Sequence, residues 1–206
     1  TSLIDGNSTT IQVKVGGFPT AIAVNPDTNK IYVFNRDSNT VSVIDAKPLK
    51  DVKAINASIK TIKVGFDPRV RHSSRDSNPT FLQNLDINPN TQRIYVIDRV
   101  SNNTVSVINE KTNNVTHIKV GFFPLHIAIN SRTNLVYIPD FGGVSVIDDN
   151  IVGYSFQNAT NTIMVNQGIP SAIAVNPNTN KIYMSYFGSN TVAIIDGDTK
   201  NVTQVR

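Results

Sequence analysis

The segment from Ala21 to Asp45 is repeated, with its turns preserved, from Ala172 to Asp196. The first copy reads AIAVNPDTNKIYVFNRDSNTVSVID, and the second reads AIAVNPNTNKIYMSYFGSNTVAIID. Two divergent copies lie between them, LDINPNTQRIYVIDRVSNNTVSVIN at 85–109 and HIAINSRTNLVYIPDFGGVSVID at 126–148. A period of roughly 42 to 46 residues in the regular copies is typical of the four-stranded blades of a β-propeller. This repeat constrains the fold more than any other feature of the chain.

Each copy contains short runs of β-branched and aromatic residues, bounded by Asn, Pro, Asp and Gly. Such runs predict strands joined by tight turns, and no long stretch has the periodicity of a helix. In the turn NPDTNK, Pro26 presets φ, Asn25 can cap the turn through its side chain, and Asn29 tolerates the left-handed conformation. We name the four predicted strands A (AIAV), B (IYVF), C (TVSVI) and D (IKTIKVG).

One such sheet cannot bury both of its faces, so the sheets should stack face to face around an axis. The sequence therefore predicts an all-β fold, a single β-propeller domain over 1–206 made of four-stranded antiparallel blades. We expect a half blade at 1–18 and full blades at 19–65, 66–121, 122–168 and 169–206. About four and a half blades indicate a fragment of a larger ring of about seven blades. Its open blade faces should favour self-association.

Two positions of the repeat indicate how the blades pack. Small residues such as Ala21 and Ala172 suit strand A as the innermost strand, near the crowded axis. A tyrosine recurs at one position of strand B, and we interpret it as packing between blades, not as a ladder that binds a ligand. The tyrosines are Tyr32, Tyr95, Tyr137 and Tyr183.

The segment VGGFPTAIAVNPDTNKIYVFNRDSNTVSVID resembles the YVTN-type β-propeller repeat of archaeal and bacterial surface and secreted proteins. The family pattern Tyr-Val-x-Asn is YVFN in the first copy, and it drifts to YVID, YIPD and YMSY in later copies. The resemblance implies an extracytoplasmic, secreted or surface-layer protein that is a non-enzymatic binding or structural scaffold. Its partners would be protein, glycan or cell-envelope components. The resemblance transfers no catalytic residue, because the shared motif is structural.

Composition and missing motifs narrow the function classes. The chain has no cysteine, which excludes disulfides and thiol chemistry, and no apolar run approaches the roughly 18 residues of a membrane helix. The net charge of +4 is scattered through the repeats, so it is weak evidence for an anionic partner. The three histidines lack metal-ligand spacing, and phosphate-binding, dinucleotide and nucleophile-elbow motifs are missing. We therefore expect no metal, no cofactor and no catalytic residue.

Departures from the repeat identify a candidate ligand site. Asn84 and His126 fall where other copies have Ala21 and Ala172, and Asp86 falls where they also have alanine. Burying such polar groups without partners is costly, so they should face a water-filled channel or each other. A site for a small anionic or carbohydrate ligand is one interpretation, and a hydrated channel in a diverged repeat is the other.

A long, basic connection enters the same blade and carries Arg69, Arg71 and His72. It is either a tolerated surface insertion or a loop that binds an anion or a partner. Because it lacks base-stacking aromatic residues, a nucleic-acid partner is disfavoured. Arg99 should lie on the same rim, together with four phenylalanines, Phe18, Phe123, Phe141 and Phe187.

Two alternative functions and one modification remain open at this point. A propeller enzyme of lactonase or lyase type would need converging carboxylates or histidines on the inner strands, most of which are Ala, Ile or Val. A nucleic-acid-binding propeller is the other alternative. Asn-x-Ser/Thr sequons are weak glycosylation signals in a chain rich in these residues. They occur at Asn7, Asn56, Asn102, Asn114, Asn158 and Asn201.

Overall fold

The computed structural model describes residues 2–4, 10–47, 59–65, 85–98, 103–152, 161–165 and 168–206. These residues form strands and no helix. The strands are β1 (Ser2–Ile4), β2 (Thr10–Gln12), β3 (Pro19–Asn25), β4 (Lys30–Asn35), β5 (Thr40–Asp45), β6 (Lys60–Lys63), β7 (Leu85–Asn88), β8 (Arg93–Asp98), β9 (Thr104–Asn109), β10 (Val115–Lys119), β11 (Ala128–Asn130), β12 (Leu135–Asp140), β13 (Gly143–Asp148), β14 (Asn161–Met164), β15 (Pro170–Asn176), β16 (Lys181–Tyr186), β17 (Val192–Asp196) and β18 (Val202–Val205).

The strands form four four-stranded antiparallel sheets, in each of which consecutive strands are neighbours. Sheet 1 contains β3 to β6, sheet 2 contains β7 to β10, sheet 3 contains β11 to β14, and sheet 4 contains β15 to β18. Strands β1 and β2 pair separately as a two-stranded antiparallel sheet. This arrangement confirms the predicted all-β fold of β-propeller type.

The chain divides into two compact units, Thr1–Val64 and Gly65–Arg206. In the first unit, Ile11 and Val13 pack against Ile31, Val33 and Ile44 of sheet 1. Their burial gives the two-stranded sheet and sheet 1 a shared apolar core.

In the second unit, the sheets stack through two further cores. Alternate residues of a strand point to opposite faces of its sheet. We call the face that carries the strand-B tyrosine the tyrosine face. The tyrosine face of sheet 2, with Tyr95 and Ile97, packs against Val136 and Ile138 of sheet 3. The tyrosine face of sheet 3 packs in the same way against sheet 4, where it meets residues such as Met184.

Burial of the tyrosines supports their predicted role in sheet packing. Tyr32 is 1% exposed, and Tyr95 and Tyr137 are fully buried. Tyr183 is the exception, because its side chain lies on the tyrosine face of sheet 4 and is 37% exposed.

The first strands of the sheets in the second unit, β7, β11 and β15, lie against one another, as expected of inner strands. The predicted turn chemistry is also present. Asn25 Oδ1 accepts a hydrogen bond from the backbone N–H of Asp27 at 3.0 Å, and Asn29 has a φ of 56°. The conformational preferences of asparagine therefore set the tight connection between the first two strands of a sheet.

Candidate functional site

In each of three sheets, sheets 1, 3 and 4, two loops lie next to each other at one edge of the sheet. The D–A loop leads into the first strand of a sheet, and the B–C loop joins its second and third strands. Backbone hydrogen bonds join the two loops, from Arg36 N to Phe18 O at 3.0 Å and from Phe141 N to Phe122 O at 3.0 Å. Sheet 4 has the equivalent bond from Phe187 N to Ile169 O at 2.9 Å. We call each such pair of loops the rim of its sheet.

The rim of sheet 3 carries three phenylalanines in contact, which we call the phenylalanine cluster. The Phe122 and Phe141 rings stack with centroids 5.8 Å apart, and the Phe123 ring lies 5.1 Å from that of Phe141. Phe122 is 66% exposed and Phe141 is 42% exposed. Apolar rings that cluster while facing solvent are typical of an interaction surface.

The rims of sheets 1 and 4 also carry exposed apolar side chains. In sheet 1, the guanidinium carbon of Arg36 lies 5.0 Å from the ring centroid of the exposed Phe18. In sheet 4, Phe187 and Ile169 are both exposed. Phe18 and Phe123 have φ values of 53° and 61°, which are strained for a bulky side chain. Strain of this kind persists only where the surrounding structure enforces it, and it is concentrated at functional sites.

Buried polar groups hold the rim of sheet 3 in place. Asp140 is 1% exposed, and its carboxylate accepts hydrogen bonds from Ser145 Oγ at 2.7 Å and from Gly142 N at 2.8 Å. Gly121 N donates to the same Ser145 Oγ at 2.9 Å. A Cβ on Gly121 would lie 2.1 Å from an Asp140 oxygen, so the Val-Gly motif is required for this close approach.

Asp86 and His126, two of the predicted site residues, lie on the inner side of adjacent sheets. Asp86 is half-buried on β7 and lies directly opposite Tyr95, so it shares the tyrosine face of sheet 2. Its Oδ1 accepts a hydrogen bond from Ile87 N at 2.8 Å, and burial raises the pKa of the carboxyl to about 6. His126 is half-buried in the irregular segment just before β11.

The other predicted ligand residues, Asn84, Arg69, Arg71, His72 and Arg99, lie outside the described residues. The same holds for four of the sequons, at Asn7, Asn56, Asn102 and Asn158. The remaining two sequons, at Asn114 and Asn201, are exposed and precede the last strands of sheets 2 and 4. The described site therefore consists of the phenylalanine cluster of sheet 3, with Asp86 on β7 and His126 before β11 as separate candidate residues.

Asp149 forms a buried polar centre that the sequence analysis missed. It is fully buried directly after β13 of sheet 3, and its carboxylate accepts hydrogen bonds from four side chains of the sheet 2 segment. The donors are Asn88 at 2.7 Å, Arg93 at 2.9 Å, Tyr95 at 2.5 Å and Thr91. The sequence did contain a signal for this cluster. At the equivalent position of sheets 1 and 4, Lys30 and Lys181 lie opposite an aspartate on the next strand, whereas Arg93 lies opposite Asn109. A partly buried arginine that has no acidic residue opposite it on the next strand therefore indicates an acidic partner on another sheet.

The residues that the structure describes include neither a metal-ligand cluster nor a membrane-spanning helix. Among them, no group of three or more His, Asp or Glu side chains could hold a metal ion. The same residues include no helix long and apolar enough to cross a membrane.

Comparisons with known proteins bear on the fold. No protein-family model matches the chain, and no curated protein sequence matches it. Solved structures match in large number, among them Kuenenia stuttgartiensis hydrazine synthase, with a TM-score of 0.67 and 17% identity. That alignment covers 95% of this chain and 51% of the other, so this chain spans about half of its length. At this level of identity the likeness shows the fold alone, and the chain is therefore an all-β protein of β-propeller type.

Proposed function

We propose that the protein is a non-enzymatic binding scaffold that presents the rim of sheet 3 to a protein partner. The observation that carries the proposal is the phenylalanine cluster, in which Phe122 and Phe141 stay exposed although they stack on each other. Aromatic side chains are enriched in protein interfaces and dominate their binding energy. Phenylalanine has no polar group with which to hold a glycan hydroxyl, so the cluster favours an apolar protein surface.

The setting of this scaffold outside the cytoplasm, at the cell surface, is the second part of the proposal. Its support is the resemblance of the repeat to YVTN-type surface and secreted proteins. Protease added to intact producing cells should then digest the protein without lysis, while a cytoplasmic control protein survives. Protection of both proteins until lysis would contradict the cell-surface setting and leave the binding proposal standing.

Site-specific photo-cross-linking tests the binding proposal. We would replace Phe122 with p-benzoylphenylalanine, irradiate producing cells and look for a cross-linked adduct. Met164, on the last strand of sheet 3, is the matched control position because it is 64% exposed against 66% for Phe122. We expect an adduct of defined mass at position 122 only. No adduct at 122, or the same adducts at both positions, would contradict the proposal.

An enzymatic site on the inner strands is the second candidate, and one observation favours it. The Asp86 carboxyl, with its pKa raised to about 6 by burial, could act as a general acid or base near neutral pH. A screen of lactones and esters against the parent and Asp86→Asn tests this candidate. Hydrolysis by the parent that Asp86→Asn abolishes would support it, and no turnover by the parent would exclude these substrates.

A further inference from the structure

Five of the six sequons lie at one position of the repeat, in the connection that leads into the last strand of a sheet. One sequon precedes each of β2, β6, β10, β14 and β18. Their asparagines are Asn7, Asn56, Asn114, Asn158 and Asn201. The turns between the first and second strands are also rich in asparagine, yet none of them contains a sequon; these turns are at 25–30, 88–93, 130–135 and 176–181. The sequons therefore do not simply follow the asparagine content of the chain.

Asn114 and Asn201, the two of these asparagines that the structure describes, occupy equivalent places in sheets 2 and 4. Each directly precedes the last strand of its sheet. The backbone carbonyl of each accepts a hydrogen bond from the last residue of the third strand, from Asn109 N to Asn114 O and from Asp196 N to Asn201 O, both at 2.9 Å. A threonine hydroxyl two residues earlier accepts from the backbone N–H of each asparagine at 3.3 Å. The turn thus uses the backbone of both asparagines in the same way.

The side-chain amides of Asn114 and Asn201 take no part in this turn. Both residues are exposed, and within the described ranges neither side chain forms a hydrogen bond. The asparagines of the first turns differ, because their side chains hold the structure together. Asn25 Oδ1 accepts from the backbone N–H of Asp27 at 3.0 Å, and Asn134 Nδ2 donates to Asn150 Oδ1 at 3.1 Å. An exposed amide that the fold does not use is available for modification.

The same position separates these amides from the rim. Successive connections of an antiparallel sheet with neighbouring consecutive strands lie at alternate ends of the sheet. In sheet 4, the B–C loop of the rim joins β16 to β17, whereas Asn201 lies between β17 and β18, at the other end of β17. The same strand order places Asn114 at the end of β9 that is away from the B–C loop of sheet 2. A group attached to either asparagine therefore leaves the rim end of its sheet open.

We propose that Asn114 and Asn201 are N-glycosylated, each by transfer of a saccharide from a polyprenyl diphosphate carrier. The bond between the anomeric carbon of the sugar and its phosphate oxygen breaks, and a bond forms between that carbon and Nδ2 of the asparagine. Nδ2 loses one proton to a base of the transferase, and the polyprenyl diphosphate leaves with the bonding electrons. Because sequons are acceptors in secreted proteins, this inference rests on the cell-surface setting proposed above.

Peptide mass spectrometry of the protein purified from its producing cells tests the proposal. We expect the peptides that contain Asn114 and Asn201 to carry the same added mass and to release sugar fragment ions. Electron-transfer fragmentation, which keeps the sugar on its side chain, locates the modified residue. Asn113 is the matched control within the same peptide as Asn114, because it is exposed and is followed by Asn-Val, which does not make a sequon. We expect no added mass on Asn113.

Two variants of Thr116 separate recognition of the sequon from mere exposure of the asparagine. Thr116→Ala removes the sequon hydroxyl and should abolish modification of Asn114, whereas Thr116→Ser should retain it. Asn201 should stay modified in both variants, as the internal control. If protein that protease digests on intact cells carries no added mass at Asn114 or Asn201, the proposal is wrong, although the cell-surface setting stands. Equal modification of Asn114 in Thr116→Ala and in the parent would also overturn it. Unmodified protein that is protected until lysis would overturn both.

Discussion

The hydroxyl of Tyr95 in sheet 2 donates a hydrogen bond to Oδ1 of Asp149, which directly follows β13 of sheet 3, and both residues are fully buried. Burial, followed by the charge of Asp149, raises the pKa of Tyr95 above its usual range, so the phenol stays protonated and keeps donating. Tyr137 occupies the same position one sheet later, where Gly197 replaces the aspartate. Among the described residues, the Tyr137 hydroxyl has no hydrogen-bond partner.

This difference predicts opposite outcomes for the same substitution at two buried tyrosines. Tyr95→Phe removes a hydrogen bond to a charged group and should lower the free energy of unfolding by about 1.5 to 3 kcal/mol. Tyr137→Phe removes a hydroxyl that has no hydrogen-bond partner among the described residues, so it should change the free energy of unfolding by less than about 0.5 kcal/mol, or raise that free energy. Urea unfolding of the two variants and of the parent protein measures both changes in the free energy of unfolding. Equal losses would show that the Asp149 bond contributes nothing specific.

Asp149→Ala should be among the most destabilising single substitutions in the second unit. It leaves Arg93, whose side chain is 18% exposed, without its buried carboxylate, together with three neutral donors. Breaking a buried ion pair by removing one partner typically costs about 3 to 5 kcal/mol. The matched control is Asp37→Ala, which removes an exposed carboxylate 3.9 Å from Arg36 and should cost less than about 1 kcal/mol. Similar unfolding midpoints for the two variants would contradict a structural role for Asp149.

Asp86→Ala should stabilise the protein, and the gain should depend on pH. The folded-state pKa of about 6 lies above the ordinary value of 3.8, so protonation of Asp86 favours the folded state. Stability from this group is fully present below about pH 4 and is lost as pH rises through about 6. The free energy of unfolding of the variant should therefore exceed that of the parent by up to about 3 kcal/mol at pH 7, and by little at pH 4.

Urea unfolding of the parent and Asp86→Ala at pH 4, 5, 6 and 7 checks this dependence. Alanine is a suitable replacement because Ala23, Ala128 and Ala174 occupy the same register position in the other sheets. A stability difference that does not change with pH would show that the carboxyl of Asp86 keeps an ordinary pKa in the folded protein.

The repeat predicted the strands and turns because local chemistry determines them. Asn25 and Asn29, for example, specify their turn through a side-chain cap and a left-handed backbone. It did not predict the Asp149 cluster, because that cluster joins side chains from different copies whose pairing only the stacked sheets reveal. The phenylalanine cluster was predicted in part. Phe123 and Phe141 were placed on one rim from the alignment of loops, but Phe122, which aligns with Gly17 in the first copy and with Phe66 in the second, was missed.

The central claim is that the rim of sheet 3 binds a partner, and protein labelled at phenylalanine tests this claim most directly. The chain has nine phenylalanines, so a sample labelled only at phenylalanine gives few, separable NMR signals. Phe34, which is fully buried, is the internal control. On addition of the partner recovered by cross-linking, we expect the signals of Phe122 and Phe141 to shift or broaden while that of Phe34 stays unchanged. If the partner binds and the signals of Phe122 and Phe141 do not change, the rim is not the binding surface.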